Sequence, residues 1–260
     1  NTIQMKKSFN TYLFYYLLIL FLFSVFFLYQ KHDVGNDSTI SEWLINYEGG
    51  FVRRGIIGQL SIYLSNFFSM GLRDTIFIFQ IFAVGIYFVL IFNFIKNLKL
   101  NKFFILAIFT PIFILYPVAE IEVLARKEIF IFIYLITYTF IPLNKKNYKF
   151  LYKFFLMPIA VLIWEPIIFF ILFFFFLDLI ENNLIKINKL IINSLISYIP
   201  SFALIIFIIL NPVSDEEHKL MSEFLENNFK EACYMSCALL KNKSSIYQQF
   251  QGNFGKYSLE

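Results

Sequence analysis

The chain is poor in the residues on which soluble cofactor chemistry rests. Two cysteines, two histidines and nine glycines are spread over 260 residues. His32 and His218 stand in separate segments without a matching cysteine or carboxylate spacing, which argues against a zinc site. The glycines form no P-loop or dinucleotide fingerprint, and no Ser/His/Asp nucleophile elbow occurs, so neither a cofactor nor a metal is expected. Only 15% of residues are charged. The net charge of +4 is scattered as lysines at the ends of apolar runs. With no basic stripe, nucleic acid is not an expected partner. Arginine is scarcer still: only Arg53, Arg54, Arg73 and Arg126 among 22 basic residues.

What is abundant is apolar. Hydrophobic residues make up 59% and aromatics 21%, chiefly 37 phenylalanines, a bias that an AT-rich genome would also produce. A scan predicts an all-α, polytopic transmembrane helix bundle of about seven spans, near 9–29, 75–95, 103–119, 128–143, 150–164, 166–180 and 190–211. The fourth to sixth are short, and two of them could form a hairpin that does not fully cross. Pro111, Pro117, Pro158 and Pro200 fall in or beside spans, where they kink rather than break helices. The first run is too long for a signal-peptide core and lacks a cleavage site. Met5 is an alternative start and nothing stop-like precedes Glu260, so the sequence reads as a possible fragment.

Lys6 and Lys7 precede the first span. Lys96, Lys99, Lys102, then Lys145, Lys146, Lys149, Lys153, then Lys186 and Lys189 fill every second gap. The positive-inside rule then places the N-terminus of this multi-pass protein in the cytoplasm. The other gaps face outward: the 30–72 loop, the 118–128 loop, the Trp164-Glu165-Pro166 turn and the segment after 211. The unusual charged motifs all fall on that side.

The first loop carries Tyr47-Glu48-Gly49-Gly50-Phe51-Val52-Arg53-Arg54-Gly55, followed by an amphipathic helix over Ile56 to Phe68 with Ile57, Leu60, Leu64 and Phe67/Phe68 on one face. Paired arginines before a helix start suit a phosphate. The alternative is an interfacial helix anchored to lipid headgroups. Glu48 is the leading candidate base, whereas Asp33, Asp37 and Glu42 read as a solvated stretch. Trp43, Tyr47 and Phe51 could stack on a sugar or serve as an interfacial belt. In the second loop Arg126 and Lys127 could complete a phosphate cradle, or Arg126 could pair with Glu122 one helical turn away. Glu165 is a lone carboxylate between two apolar runs. It is expected to have a raised pKa, to pair with a cation from another loop, or to lie in a solvated turn.

Residues 1–211 are thus expected to form the transmembrane bundle and 212–260 an extracytoplasmic helical tail. Ser214-Asp215-Glu216-Glu217 is a capping-box pattern that should open a helix of about 25 residues, with Leu220, Phe224, Leu225, Phe229, Cys233 and Leu240 as its stripe. On such a helix Cys233 and Cys237 could join only if it unwound. They could instead bond elsewhere, in a structural role.

The aromatic-Glu-Gly-Gly-Phe-Val-Arg-Arg-Gly loop, the Ala125-Arg126-Lys127-Glu128 segment before a span and the lone Glu165 together resemble bacterial surface-polysaccharide membrane proteins. These are the O-antigen-polymerase-like and GT-C-like glycosyltransferases. The resemblance covers some thirty residues, and the chain has fewer spans than either group and lacks a spaced Arg…Gly pattern. It implies transfer of a sugar or oligosaccharide from a polyprenyl phosphate or diphosphate carrier, with membrane lipid and the lipid-linked saccharide as partners. Arg53, Arg54, Arg126 and Lys127 would hold phosphate, Glu48 or Glu165 would act as the catalytic base, and Trp43 and Tyr47 would contact sugar. A transporter or flippase of the same anionic substrate, and a non-catalytic membrane component, are the rival readings.

Overall fold

Long apolar segments set the frame, one of them a helix that runs through Pro200. The computed structural model describes residues 2–34, 38–98, 101–110, 124–142, 144–181 and 187–241, all helical or irregular. In chain order the helices are α1 (Thr2–His32), α2 (Ser38–Ser41), α3 (Gly55–Phe68), α4 (Leu72–Ile95), α5 (Lys102–Phe109), α6 (Ile129–Thr139), α7 (Lys146–Leu151), α8 (Met157–Ile163), α9 (Ile171–Glu181), α10 (Ile187–Leu210) and α11 (Asp215–Phe229).

Three helices among the described residues are long and apolar enough to cross a membrane: Ser8–His32 of α1, Leu72–Ile95, and Ile192–Leu210 of α10. This corrects the expectation of about seven spans. The fourth expected span shrinks to the eleven residues of α6. The described part of the third is α5, eight residues long, and its remainder lies outside the described residues. The three long helices turn Tyr12, Ile19, Phe23, Phe82, Val89, Leu195, Ile199 and Ile206 outward, as a lipid-facing surface requires. The molecule is a membrane-associated α-helical protein.

The fifth and sixth expected spans form one helical hairpin. Pro158 has no N–H to offer the carbonyl of Phe154, and the turn before it, Tyr152–Leu156, widens to π geometry. At Trp164 the backbone becomes extended (φ −157°, ψ 100°), and Glu165–Phe170 follow as a 3₁₀ turn leading into α9. The two arms run antiparallel, because Lys153 Nζ on one lies 2.6 Å from Asp178 Oδ2 on the other. From Glu165 to Asp178 the arm rises roughly 20 Å at about 1.5 Å per residue, against a hydrocarbon core of about 30 Å. Met157, Val161, Ile167 and Phe174 of this hairpin pack with Ile131, Tyr134 and Tyr138 of α6 and Tyr198 of α10. A second core, with Leu13, Leu17, Leu28, Val84, Phe88 and Ile129, joins α1, α4 and α6.

The ends sort cleanly. His32 at the end of α1 and Arg73 at the start of α4 meet through the His32 carbonyl at 3.0 Å. Phe207 near the end of α10 contacts Phe51, with ring centroids 5.0 Å apart. The 38–71 loop and the hairpin tip therefore share one end of the bundle, and Lys96 and Lys145–Lys153 the other.

The capping box at Ser214 and Glu217 forms as the sequence requires, and α11 follows. It stops after Phe229, where Lys230 turns left-handed at φ 58°, so the helix is shorter than the 25 residues expected. Beyond that stop the chain leaves the helix and Cys233 bonds to Cys237, the pairing that required the helix to end before them. Of the expected stripe, Leu225 is buried and Leu220 exposed, whereas Met221 and His218 complete the packed face. That face covers the first loop: Leu225 joins the core around Trp43 and Leu44, and Met221 and Cys237 join Ile45 and Val52.

Candidate functional site: a charged cluster at one end of the bundle

Helix α3 is amphipathic, and the expected stripe divides, with Ile57 inward and Leu60, Phe67 and Phe68 outward. Its buried residues are Gly55, Ile57, Gly58, Gln59, Ser61, Ile62 and Ser65, while Leu60, Tyr63, Phe67 and Phe68 are exposed. The small inward residues let the backbone approach the loop before it: a Cβ on Gly58 would lie 2.0 Å from the Ile45 carbonyl oxygen. That close packing sets Arg53 and Arg54 at the head of α3 against the hairpin tip. Arg54 itself takes a left-handed conformation (φ 65°) as the helix N-cap, which turns its carbonyl and its side chain toward different partners.

Glu165 finds the cation that a buried carboxylate needs. Arg54 donates from Nε (2.6 Å) and Nη2 (2.8 Å) to its two oxygens in a bidentate pair, and Arg53 Nη1 reaches it at 3.5 Å. Arg54 Nη1 also donates to Glu42 Oε1 at 3.2 Å, and Arg126 Nη2 donates to the same oxygen at 2.8 Å. Arg126 lies 3.2 Å from Glu128 as well. Lys127, fully buried, donates from Nζ to the Arg54 carbonyl at 2.6 Å. Trp164 lies beside the Arg54 guanidinium, 5.9 Å from carbon to ring centroid. Segments far apart in sequence thus meet in one network around Glu42 and Glu165.

Burial and charge pull against each other here. Burial works against the Arg54 charge, but Glu165, Glu42 and Glu128 outweigh it and hold the guanidinium above its usual range. Arg126 is held up in the same way by Glu42 and Glu128. Burial also opposes the Glu165 charge, and Arg54 and Arg53 prevail, so its pKa is lowered. Lys127 goes the other way: burial pushes its ammonium down to about 7, despite the pull of Glu42. Burial and the neighbouring Glu42 raise Glu128. Several buried atoms in the cluster have no hydrogen-bond partner among the described residues: Glu42 Oε2, Glu128 Oε2, Arg126 Nε and Trp164 Nε1.

Of the residues singled out in the sequence, Arg53, Arg54, Arg126, Lys127 and Glu165 converge. Glu48 is exposed and accepts a hydrogen bond from Gln59 Nε2 at 2.7 Å. Gln59 in turn receives the Tyr47 backbone N–H at 2.8 Å. The ring of Trp43 is sealed in the core against Phe79 and Phe130, with its Nε1 on the Ala125 carbonyl. Tyr47 stacks on Phe51. Glu122 and Asp37 lie outside the described residues. Glu42 corrects its solvated reading: it is fully buried and is the hinge of the network. Glu128 and Trp164 were also missed as participants, though both adjoin residues that were singled out.

Away from this cluster, the fourth arginine, Arg73, binds Glu231 bidentately at 2.8 and 2.7 Å and tethers the tail. His218 Nε2 lies 3.1 Å from the Cys237 carbonyl and 3.4 Å from Cys233 Sγ. The His218, Cys233 and Cys237 donor atoms fall within 4.8 Å of one another, but the two sulfurs are joined and are not free to ligate.

Toward the other end, Asp178 receives Lys153 Nζ at 2.6 Å and the Tyr138 hydroxyl. Lys153 also donates to Ser194 Oγ at 3.3 Å. Lys149 and Lys153 of this arm are buried. No protein-family model, no curated protein and no solved structure matches the chain.

Proposed function

We propose that the chain is an integral membrane enzyme of cell-surface polysaccharide synthesis. Its substrate is a saccharide carried on a polyprenyl phosphate or diphosphate, and the charged cluster, on the extracytoplasmic side, is where the saccharide is transferred. The observation that carries this reading is the convergence of Arg53, Arg54, Arg126 and Lys127 around Glu42, Glu128 and Glu165 at one end of the bundle.

The roles divide by engagement. Arg54 and Arg126 are fixed by carboxylates and act as a rigid positive frame. Arg53 is exposed and holds Glu165 by a single 3.5 Å contact, so it is free to turn onto a phosphate and stabilise charge that builds as a glycosidic bond breaks. Glu165 accepts three hydrogen bonds from Arg54 and Arg53, its pKa is lowered, and it is a weak base. Glu128, with a raised pKa and an unpartnered oxygen, is better suited to take a proton from an attacking hydroxyl. Glu48, exposed beside the loop glycines, is the remaining candidate.

A second reading, a transporter or flippase of the same anionic lipid, is favoured by one observation. The Lys153–Asp178 pair, with Tyr138 and Ser194, is buried between helices at the far end of the hairpin.

Substituting Arg53, Glu48, Glu128 and Glu165 one at a time in the native host separates the readings by where the lipid-linked precursor collects. An enzyme leaves it on the outer leaflet with shortened polysaccharide and normal protein level. A flippase leaves it on the inner leaflet. No change in either removes both readings. For Arg53→Ala the expected loss of transfer is about 100-fold with the fold intact.

A further inference from the structure

The face opposite the charged cluster carries a groove that none of this chemistry uses. It holds about 660 Å³ and is lined by the end of α6, the turn after it and the first hairpin arm, including Phe140, Ile141, Pro142, Leu151 and Leu156. That volume lies within the range of small-ligand sites, about 300–1,000 Å³.

Two of its polar members are already committed. Thr137 Oγ1 donates to the Ile133 carbonyl, and the Tyr152 hydroxyl to the Tyr134 carbonyl. The wall is therefore hydrocarbon and aromatic, with one charged member, Lys145. Lys145 lies over the Tyr148 ring at 5.6 Å, and Lys146 beside it is exposed. Among the described residues no carboxylate lines the groove. Its rim of Leu151 and Leu156 continues into the outward-facing Phe155 and Ile159 of the same arm. That continuous apolar surface suits contact with lipid.

The geometry points to a binding site for an anionic phospholipid. One acyl chain lies in the groove and the phosphate sits at Lys145 and Lys146. An apolar slot with a one-signed mouth selects a molecule that is greasy along its length and negative at one end. Lysines at a membrane surface are each worth on the order of five-fold for such a lipid, about 1 kcal/mol. The site is independent of whether the outer cluster is catalytic.

Tyr148→Trp places a reporter in the wall. The full chain carrying it is reconstituted in nanodiscs of zwitterionic lipid with rising fractions of brominated phosphatidylglycerol, and in parallel with brominated phosphatidylcholine. The brominated anionic lipid is expected to quench the added tryptophan at a several-fold lower mole fraction. Adding Lys145→Gln and Lys146→Gln should abolish that preference, while emission from Trp43 and Trp164, read in a chain that keeps Tyr148 and carries both lysine substitutions, matches the parent's and reports an intact fold. Equal quenching by the two lipids, a preference that survives both lysine substitutions, or no quenching by either lipid would each overturn the assignment.

Discussion

At the scale of single residues, the strongest constraint is Glu42. One of its oxygens serves both Arg54 and Arg126, and its side chain is wholly buried. Removing one partner from a buried ionic network leaves the others uncompensated, at a cost of about 3–5 kcal/mol. Glu42→Gln should show that loss in chemical unfolding in detergent, whereas Glu48→Gln should change stability by no more than about 0.5 kcal/mol. Lys127 adds a pH signature. Its pKa falls from 10.5 to about 7 on folding, so between those values the unfolded chain holds a proton that the folded chain has released. Stability then rises with pH through that window, and the penalty of burying the ammonium is fully present below it. Thermal unfolding from pH 7 to pH 10 should contain this rise, and Lys127→Met should lack it.

Among the helices, α3 shows what a linear sequence conveys and what it hides. Its span was legible from apolar spacing and lies at Gly55–Phe68. Its orientation was not, because a stripe of Leu60 and Phe67/Phe68 is equally suited to a protein core and to lipid. Packing of Gly58 against Ile45 settled the matter. We expect Gly58→Ala to destabilise by about 3 kcal/mol or more, because a Cβ would meet the Ile45 carbonyl at 2.0 Å. Gly85→Ala in α4 should stabilise by about 0.5–1 kcal/mol, since its nearest neighbour is the Phe21 ring at an ordinary 3.5 Å. Unfolding midpoints of the two variants test the contrast. The hairpin was half legible: Trp164-Glu165-Pro166 marked its tip, and the Glu165 partner was foreseen among the arginines. The register that buries Lys153 against Asp178 was hidden, because it depends on a π turn and an extended residue that no spacing rule encodes. Glu42 was misread because polar neighbours in sequence say nothing about a helix end folding over them.

Among the described residues, the whole molecule has a frame of three helices long enough to cross a membrane and a set of shorter ones. Apolar content was counted correctly as membrane-associated and divided wrongly into spans, since a run of about fifteen apolar residues serves a crossing helix or half a hairpin equally well. The tail illustrates long-range assembly: a capping box, a left-handed stop and a disulfide shape it locally, but Arg73 and Glu231 hold it to α4. Hydrogen-bonded charged pairs of this kind contribute about 1.5–3 kcal/mol. Glu231→Gln should therefore speed proteolysis of the 212–241 segment while the helical bundle stays resistant, as read by mass spectrometry of the fragments.

The inside-out polarity of α3 has a mechanical consequence. Its aromatic flank is pressed by the surrounding medium, its first residue adjoins Arg54, and a short turn joins its other end to α4. Arg54, at the head of the same helix, is held to Glu165 at two points, so the helix that meets the medium on one flank also carries the charged network on the other.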